Sequence, residues 1–439
     1  MNFSPTLIEK SKHGSSNSKP ALFDSKLYLI LLVVLVGFDY TIHFLLHNLA
    51  TVAHPAQHNG ASGVLRNPKN WVKSESEELE EFFEQFKHNE SVIRIMTFNL
   101  RNELLDMDTK THSWSTRKAM LIKTLLKSRP SLLGTQEGTL SQLNEINDIL
   151  QENKYQMLGS SGRLPKGVFQ SQLSKDNEFC EIFIFHKMFS VLDKGTFSLS
   201  ETPNQLGSKY TGTILPRIAT WALLSLKNPH ARWGTLHSKY LFLFINTHLD
   251  HLHLWARQKE IQIIEAFIAE MWNEYQTLRN FTLLVFVTGD FNENENGKLW
   301  HEIVNVSLLA NEMININGNN NNNNKKHNKP SSSIRSQIKL LDCVKEWTKK
   351  KNTTLNAPLT FHRWEGLDYI PKDTNGAPID WILCTPNVIQ EMHLLNAFVV
   401  TWNSTILDTT WNQSQYGTIF PSDHFPLYLD IAFKSLSPL

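Results

Sequence analysis

Six short polar motifs contain the residues whose types and spacing could do chemistry in this sequence. Each motif follows or precedes a short apolar run, and the candidate residues in them are Asn99, Glu137, His248, Asp290, Asn292, Asp380, Asp423 and His424. A single Asn or Asp in such a place is usually a turn residue that bonds to its own backbone. Six such motifs in one chain are hard to assign to turns alone, so we interpret them as parts of one site.

Oxygen donors dominate these motifs and suit a hard divalent cation. Glu137, with help from Asp423 and Asn99, offers the ligands that Mg²⁺ or Mn²⁺ prefers, and not a zinc set. The two histidines and an aspartate can supply proton transfer and charge neutralisation. The sequence has no Gly-x-Ser-x-Gly elbow, P-loop or Cys-x-x-Cys pair, so Ser or Cys nucleophiles and P-loop nucleotide hydrolysis are unsupported.

Charge and cysteine content narrow the classes of protein further. The formal net charge is +1, so the chain is not a protein that binds nucleic acid through its overall charge. Its cysteines are Cys180, Cys343 and Cys384. An odd, sparse set without a paired motif argues against a disulfide framework and against a zinc site.

Alternating strand-like and helical segments must position these motifs. Short apolar runs predict strands at 92–98, 131–135, 179–185, 240–246, 283–288, 379–384 and 426–432. Helical spacing predicts helices at 115–128, 140–152 and 253–278. The mixture predicts an α/β (α+β) domain whose sheets are covered by helices. Residues 311–337 include an Asn-rich run, which predicts a disordered insertion within that domain.

The N-terminal region has a different composition and predicts a membrane anchor. Residues 1–26 are polar and predict a disordered tail, and 27–49 are apolar enough for a transmembrane signal anchor. Residues 50–90 predict a linker that ends in an acidic amphipathic helix. Lysines before the apolar segment place the following domain on the lumenal or extracellular side. The alternative is a signal peptide whose cleavage releases a secreted protein.

The motifs also resemble those of the endonuclease/exonuclease/phosphatase superfamily, the group that contains DNase I. The resemblance is carried, in the order of that family, by Thr-Phe-Asn99-Leu-Arg, Gln-Glu137, Asn-Thr-His248-Leu-Asp, Gly-Asp290-Phe-Asn292, Ile-Asp380-Trp-Ile and Ser-Asp423-His424-Phe-Pro. Further strings at 199–203, 207–209, 215–221 and 360–362 look like a poorly characterised branch, here with a membrane anchor. The resemblance implies a catalytic domain over 91–436 with a DNase I-like four-layer architecture: a two-sheet β-sandwich flanked by helices.

The same resemblance implies a role for each site residue. Glu137 is the principal metal ligand, with Asn99 and Asp423 nearby. Asp290 orients or deprotonates the attacking water, and Asn292 holds the phosphate or the nucleophile.

The remaining roles concern the phosphoryl group and the group that leaves it. His424, paired with Asp380, contacts the phosphoryl oxygens. His248, oriented by Glu178, assists the leaving group or the phosphate. Arg217 clamps a phosphate oxygen.

The resulting expectation is a Mg²⁺- or Mn²⁺-dependent hydrolase of phosphate esters, of phosphodiesterase, nuclease or phosphatase type. The expected substrate is a lipid head group, a small phosphate ester or a nucleic acid, and the expected oligomeric state is a monomer. The alternative is a non-catalytic, membrane-anchored binding module that retains the fold. Loss of catalysis is expected to replace site residues, whereas the whole set is present in this chain.

Overall fold

The computed structural model describes residues 92–107, 109–159, 161–164, 177–227, 239–294, 297–303, 339–357, 359–369, 378–401 and 418–434. The chain divides into two units, residues 1–71 and 72–439, and every described residue belongs to the second. The predicted tail, anchor, linker and Asn-rich insertion lie outside the described residues. No helix within the described ranges is long and apolar enough to cross a bilayer.

The described chain contains many strands and fewer helices. The strands are β1 (Ile93–Asn99), β2 (Leu132–Gln136), β3 (Gly138–Thr139), β4 (Tyr155–Met157), β5 (Glu178–Phe179), β6 (Ile182–Phe185), β7 (Phe189–Ser198), β8 (Ile218–Leu226), β9 (Tyr240–His248), β10 (Thr282–Asp290), β11 (Leu341–Asp342), β12 (Asp380–Cys384), β13 (Met392–Val399) and β14 (Leu427–Phe433). The α-helices are α1 (Trp114–Ser128), α2 (Leu140–Leu150), α3 (Leu254–Trp272), α4 (Cys343–Lys351) and α5 (Pro386–Glu391). A π-helical turn, Asn273–Leu278, continues α3.

Most of the described strands form two sheets of six. The first has the order β13-β14-β1-β2-β6-β4 and the second the order β11-β12-β10-β9-β8-β7, while β3 and β5 pair separately. The second sheet contains strands that the sequence did not predict, including β7 and β8. The predicted strand at 179–185 is interrupted between β5 and β6.

The core confirms the expected four layers, with the two sheets packed face to face between helices, and Phe267 of α3 packs on Trp221 of β8 at the outer face of the second sheet. Ile93 and Ile95 of β1 share one core cluster with Phe242 and Phe286 of the second sheet. Alternate β1 residues such as Phe98 face the other way, into a second cluster with residues of α1 and α2. Side chains alternate along a strand, so Asn99 lies on the same face as Ile93 and Ile95, toward the second sheet.

A buried asparagine, Asn246 of β9, bonds the two sheets together beneath their ends. Its Nδ2 donates to the backbone oxygens of Thr135, at 2.8 Å, and Glu181, at 3.0 Å. Its Oδ1 accepts a bond of 2.7 Å from Nε2 of Gln136. A Cβ atom on Gly134 would lie 2.4 Å from this Oδ1, so the close approach of the sheets requires glycine there.

A fully buried arginine, Arg117 of α1, fixes two segments that lead into the site. Its Nη1 donates to the backbone oxygens of Leu100, at 2.6 Å, and Pro421, at 3.0 Å, and its Nη2 donates to the oxygen of Arg101 at 2.6 Å. The arginine thus joins the segment after β1 to the segment before β14, although these segments are over 300 residues apart in the chain.

The odd number of cysteines argued against a disulfide framework, but the structure contains a disulfide. Cys343 and Cys384 form a disulfide, and Cys180 is free and buried. The pairing follows from strand register, because β11 pairs with β12 at Leu341 and Cys384 and so brings the start of α4 beside β12. The Cα atoms of the two cysteines are 6.0 Å apart. Spacing along the sequence could not reveal a contact that depends on strand pairing.

We expect Asn246→Ala to destabilise the fold by about 2–4 kcal/mol, because buried backbone acceptors and the Gln136 amide each lose a hydrogen bond across the sheets. Denaturant unfolding of the variant measures this loss. Asn144→Ala, on the exposed face of α2, is the matched control and should stay within about 0.5 kcal/mol of the parent. Equal stabilities for the two variants would contradict the proposed importance of the bonds between the sheets.

Candidate active site

The predicted site residues come together at one end of the two sheets. Asn99 ends β1, Glu137 follows β2, and Asp423 and His424 precede β14, all from the first sheet. His248 ends β9, Asp290 ends β10 and Asp380 begins β12, all from the second.

Strand register places the three residues of the second sheet in one row. Asp290 lies opposite His248 in the parallel pair of β9 and β10. Asp290 also lies opposite Asp380 in the antiparallel pair of β10 and β12. The hydrogen bonds between the strand backbones therefore determine this row, independently of contacts between the side chains.

Asn99 lies at the centre of the site and connects the sheets. Its Nδ2 donates to Oε1 of Glu137 at 3.0 Å and to Oδ2 of Asp290 at 3.1 Å. Its Oδ1 accepts from the backbone N–H of Arg101 at 2.9 Å, which fixes the orientation of the amide. The atom facing the carboxylates is thus a donor nitrogen. In this arrangement Asn99 holds Glu137 in place, and its role as a metal ligand stays a prediction.

Glu137 is held as an ionised carboxylate on a left-handed backbone, with φ of 62°. Its Oε2 accepts from the backbone N–H of Asn102 at 3.1 Å. Burial raises the pKa of Glu137, but the hydrogen bond from Asn99 and the positive charge of His424 outweigh it, so the pKa is lowered overall. The residue remains partly exposed, so a cation from solvent can reach it.

Asp290 lies between two histidines, in surroundings that suit it to accept a proton. Its Oδ2 is 3.7 Å from Nε2 of His248 and 3.7 Å from Nε2 of His424. Its Oδ1 accepts from the backbone N–H of Asn292 at 2.8 Å. Burial, followed by the negative charge of Asp380, raises the pKa of Asp290 to about 7. A carboxylate with this pKa can take a proton near neutral pH.

His424 forms a close pair with Asp380, as the sequence predicted. Nδ1 of His424 is 2.9 Å from Oδ2 of Asp380, and this bond directs Nε2 toward Asp290. Burial lowers the pKa of His424, but Asp380, Asp290 and Asp423 together raise it to about 10. The imidazole is therefore protonated at neutral pH and provides a positive charge in the site.

His248 has the opposite character, because burial and then the positive charge of Arg217 lower its pKa well below the usual value. Its Nε2 is 2.9 Å from Nδ2 of Asn292. An amide nitrogen only donates, so Nε2 is the acceptor and the proton of the neutral ring lies on Nδ1. Asn292 also donates to the backbone oxygen of Leu249 at 3.0 Å, from a left-handed backbone with φ of 52°.

The donor set fits a divalent cation. Ligand atoms of Glu137, His248 and Asp290 all lie within 4.8 Å of one another, and so do those of Asp290, Asp380 and His424. Glu137 brings an ionised oxygen that is partly open to solvent, which suits Mg²⁺. Asp423 belongs to neither group, and its Oδ2 is 3.4 Å from Nη1 of Arg101.

The structure does not support the expected pairing of Glu178 with His248. Oε1 of Glu178 accepts from Nδ2 of Asn102 at 3.0 Å, and its Oε2 pairs with Arg163. Glu178 and Arg217 nevertheless both border the site, because they line a pocket together with Glu137 and His248. Arg163 lines the same pocket, and no motif in the sequence points to it.

His251 is a second residue that sequence reasoning did not assign to the site. Its Nδ1 is 3.0 Å from Nη2 of Arg217. It lies in the same motif as His248, three residues further along. That short spacing was the available signal.

Solved structures with a similar fold include an endonuclease/exonuclease/phosphatase family protein of Bacteroides thetaiotaomicron, which is 22% identical with a TM-score of 0.54 over 78% of this chain and 98% of that one. A mannosyl-6-phosphatase of the same bacterium is 23% identical, with a TM-score of 0.52 over 78% and 100% of the two chains. An endonuclease/exonuclease/phosphatase from Bacteroides vulgatus is 20% identical, with a TM-score of 0.50 over 78% and 99%. No family model and no curated protein matches the sequence. The described chain therefore has the fold of the endonuclease/exonuclease/phosphatase superfamily, as its motifs predicted.

Proposed function

We propose that this protein is a divalent-metal-dependent hydrolase of phosphate esters, in which water attacks phosphorus. The observation that carries the proposal is the position of Asp290 between a neutral and a protonated histidine, beside the ionised Glu137. Acids and bases with displaced pKa values, gathered in one cluster, are typical of catalytic sites. The likeness to a mannosyl-6-phosphatase agrees with this class of reaction.

Glu137 is the proposed principal ligand for Mg²⁺ or Mn²⁺. Asn99 and Asp423, which lie nearby, are the other proposed ligands. A bound cation supplies charge neutralisation at the phosphoryl oxygens and lowers the pKa of a bound water. Asn99 keeps Glu137 and Asp290 in fixed relative positions through its two hydrogen bonds.

Asp290 is the proposed base that takes a proton from the attacking water. As the bond from the water oxygen to phosphorus forms, the ester P–O bond breaks, and the departing oxygen takes up a proton from solvent to leave as an alcohol, while Asp290 returns its proton to solvent. His424, held by Asp380, stabilises the negative charge that develops on the phosphoryl oxygens. Asn292 and His248, which bond to each other, hold the phosphate and assist the leaving group.

The proposed location is a membrane, with the catalytic domain on the lumenal or extracellular side and residues 27–49 as the anchor. The disulfide between Cys343 and Cys384 supports this side, because disulfides persist in oxidising compartments and are rare in the cytosol.

We expect hydrolysis of phosphate esters to require a divalent cation. Chelation with EDTA should abolish turnover, and Mg²⁺ or Mn²⁺ should restore it, because the site is rich in oxygen ligands. The measurement is a screen of the whole chain against DNA, RNA, sphingomyelin, inositol phosphates and sugar phosphates, with and without the cation. Full turnover after complete removal of metal would refute this part of the proposal.

We expect Asp290→Asn and His424→Ala each to lower kcat by about 10²–10⁴-fold, because one removes the base and the other removes a charge that stabilises the transition state. The double variant should lose much less than the product of the single losses if both groups serve one event. Asp148→Asn, on the exposed face of α2, is the matched control and should keep normal turnover. Near-normal turnover by Asp290→Asn would exclude this residue as the base.

We expect the protein isolated from its native membranes to contain the Cys343–Cys384 disulfide in a protease-protected domain. Removing the bond, which closes a loop with a sequence separation of 41 residues, should cost roughly 3–4 kcal/mol of stability. Mass mapping of peptides under non-reducing conditions detects the disulfide. Denaturant unfolding measures the loss of stability when the bond is removed. A Cys343→Ala/Cys384→Ala variant should show no further loss on reduction, and free thiols in the native protein would reverse the proposed topology.

A further inference from the structure

The ion pair between Arg257 and Glu293 adjoins the catalytic cluster, since Glu293 follows Asn292 in the chain. Nε and Nη2 of Arg257 donate to Oε2 of Glu293 at 2.9 and 2.7 Å. The two side chains are only 11% and 9% exposed. Such a pair contributes little net stability because both charges lose their hydration, but its directional bonds fix the segments that it joins.

Arg257 also holds the segment that follows β9. Its Nη1 donates to the backbone oxygen of Asp250 at 3.0 Å. Glu260 lies three residues further along α3, on the same face of the helix, and its Oε2 accepts from the backbone N–H of Asp250 at 2.8 Å. Both backbone groups of Asp250, two residues after His248, are therefore bonded to side chains of α3.

Glu293 holds the segment that follows β10. Its Oε1 accepts from the backbone N–H of Leu299 at 3.1 Å, so both carboxylate oxygens are bonded to protein groups. The preceding residue, Asn292, has a left-handed backbone with φ of 52°. Most residues avoid this conformation, and contacts with the surrounding structure maintain it.

His248 and Asn292 lie next to these two segments and depend on each other's orientation. Nδ2 of Asn292 donates one hydrogen to Nε2 of His248 and the other to the backbone oxygen of Leu249. Both hydrogens of the amide are thus used, and a shift of either segment would lengthen one of these bonds. Arg257 links the two segments, because its guanidinium bonds to both of them.

We propose that Arg257 and Glu293 are positioning residues, which set the rate of phosphate-ester hydrolysis by holding His248 and Asn292 in their reactive arrangement. This inference rests on the proposed function. The charged atoms of both side chains are bonded to protein groups, so the pair acts through its neighbours and not on the substrate. The geometry of a catalytic site is demanding, since a displacement of about 1 Å can lower a rate by roughly 10²-fold.

The test removes both charges at once in the full-length protein, because loss of one partner would leave a buried charge unpaired and could unfold the chain. The probes are p-nitrophenyl phosphate and bis(p-nitrophenyl) phosphate with Mg²⁺. On whichever ester the parent hydrolyses, we expect Arg257→Met/Glu293→Gln to lower kcat by about 10–100-fold. KM should stay close to the parent value, because the proposed ligands of the cation and the phosphate are unchanged.

A double-mutant cycle with Asn292→Gly separates positioning from a general effect on the fold. Glycine suits the left-handed backbone at this position. If the ion pair acts through Asn292, adding Arg257→Met/Glu293→Gln to Asn292→Gly should cost little further activity. Independent effects would multiply instead.

Two further variants test the role of the charge. Arg257→Lys keeps a cation near Glu293 but loses the planar fork, so it should retain more of kcat than Arg257→Met/Glu293→Gln. The matched control is Arg279→Met/Glu274→Gln, at an exposed ion pair beyond the end of α3. This control should behave as the parent, because exposed ion pairs contribute little.

Hydrogen exchange followed by mass spectrometry tests the inference without turnover. The peptide that contains Asn292 should exchange faster in Arg257→Met/Glu293→Gln than in the parent, while peptides within β9 and β10 exchange as before. If the parent hydrolyses neither ester but this peptide loses protection in the variant, the proposed function fails and the positioning contact stands. Unchanged exchange, parental kcat, or losses that multiply with those of Asn292→Gly in a folded variant would overturn the inference.

Discussion

The site exists only because the two sheets are held in one relative position, since each sheet supplies about half of its residues. Glu137 comes from one sheet and Asp290 from the other, and the amide of Asn99 spans the distance between them. Beneath it, Asn246 forms hydrogen bonds across the same interface. Apolar contacts between sheets tolerate small sliding movements, whereas directional bonds in a buried network specify one arrangement.

The electrostatics of the site follow from collecting several carboxylates in a place with little water. Burial and the negative charge of Asp380 raise the pKa of Asp290 to about 7. The neighbouring carboxylates raise the pKa of His424, so its imidazole is protonated at neutral pH. Arg117 provides fixed positive charge behind Asp423 and satisfies three backbone carbonyls around the site. Hydrogen bonds from Arg117 therefore fix backbone segments next to the titrating groups of the site.

Much of this arrangement could be predicted from the sequence because the motifs lie at strand ends. β1, β9, β10, β12 and β14 are rich in β-branched and aromatic residues, and β2 is short and apolar at its start. A polar residue of the site lies at an end of each of these strands or within a few residues of it. The strand β7 contains the polar residues Asp193 and Lys194 on an exposed stretch, so its pattern resembles a loop. The disulfide, Arg163 and the bond between Arg217 and His251 depend on contacts between distant segments, which local patterns do not encode.

The row formed by His248, Asp290 and Asp380 has a consequence for how the chain can change in length. Successive side chains of a strand point to opposite faces. Deleting one residue from the middle of β10 would therefore shift its pairing with β9 and β12 by one position and turn the carboxylate of residue 290 away from both histidines. A deletion in a connecting segment leaves that row intact. Insertions and deletions compatible with activity should accordingly accumulate in the segments that connect the strands, while the number of residues in the central strands stays constant.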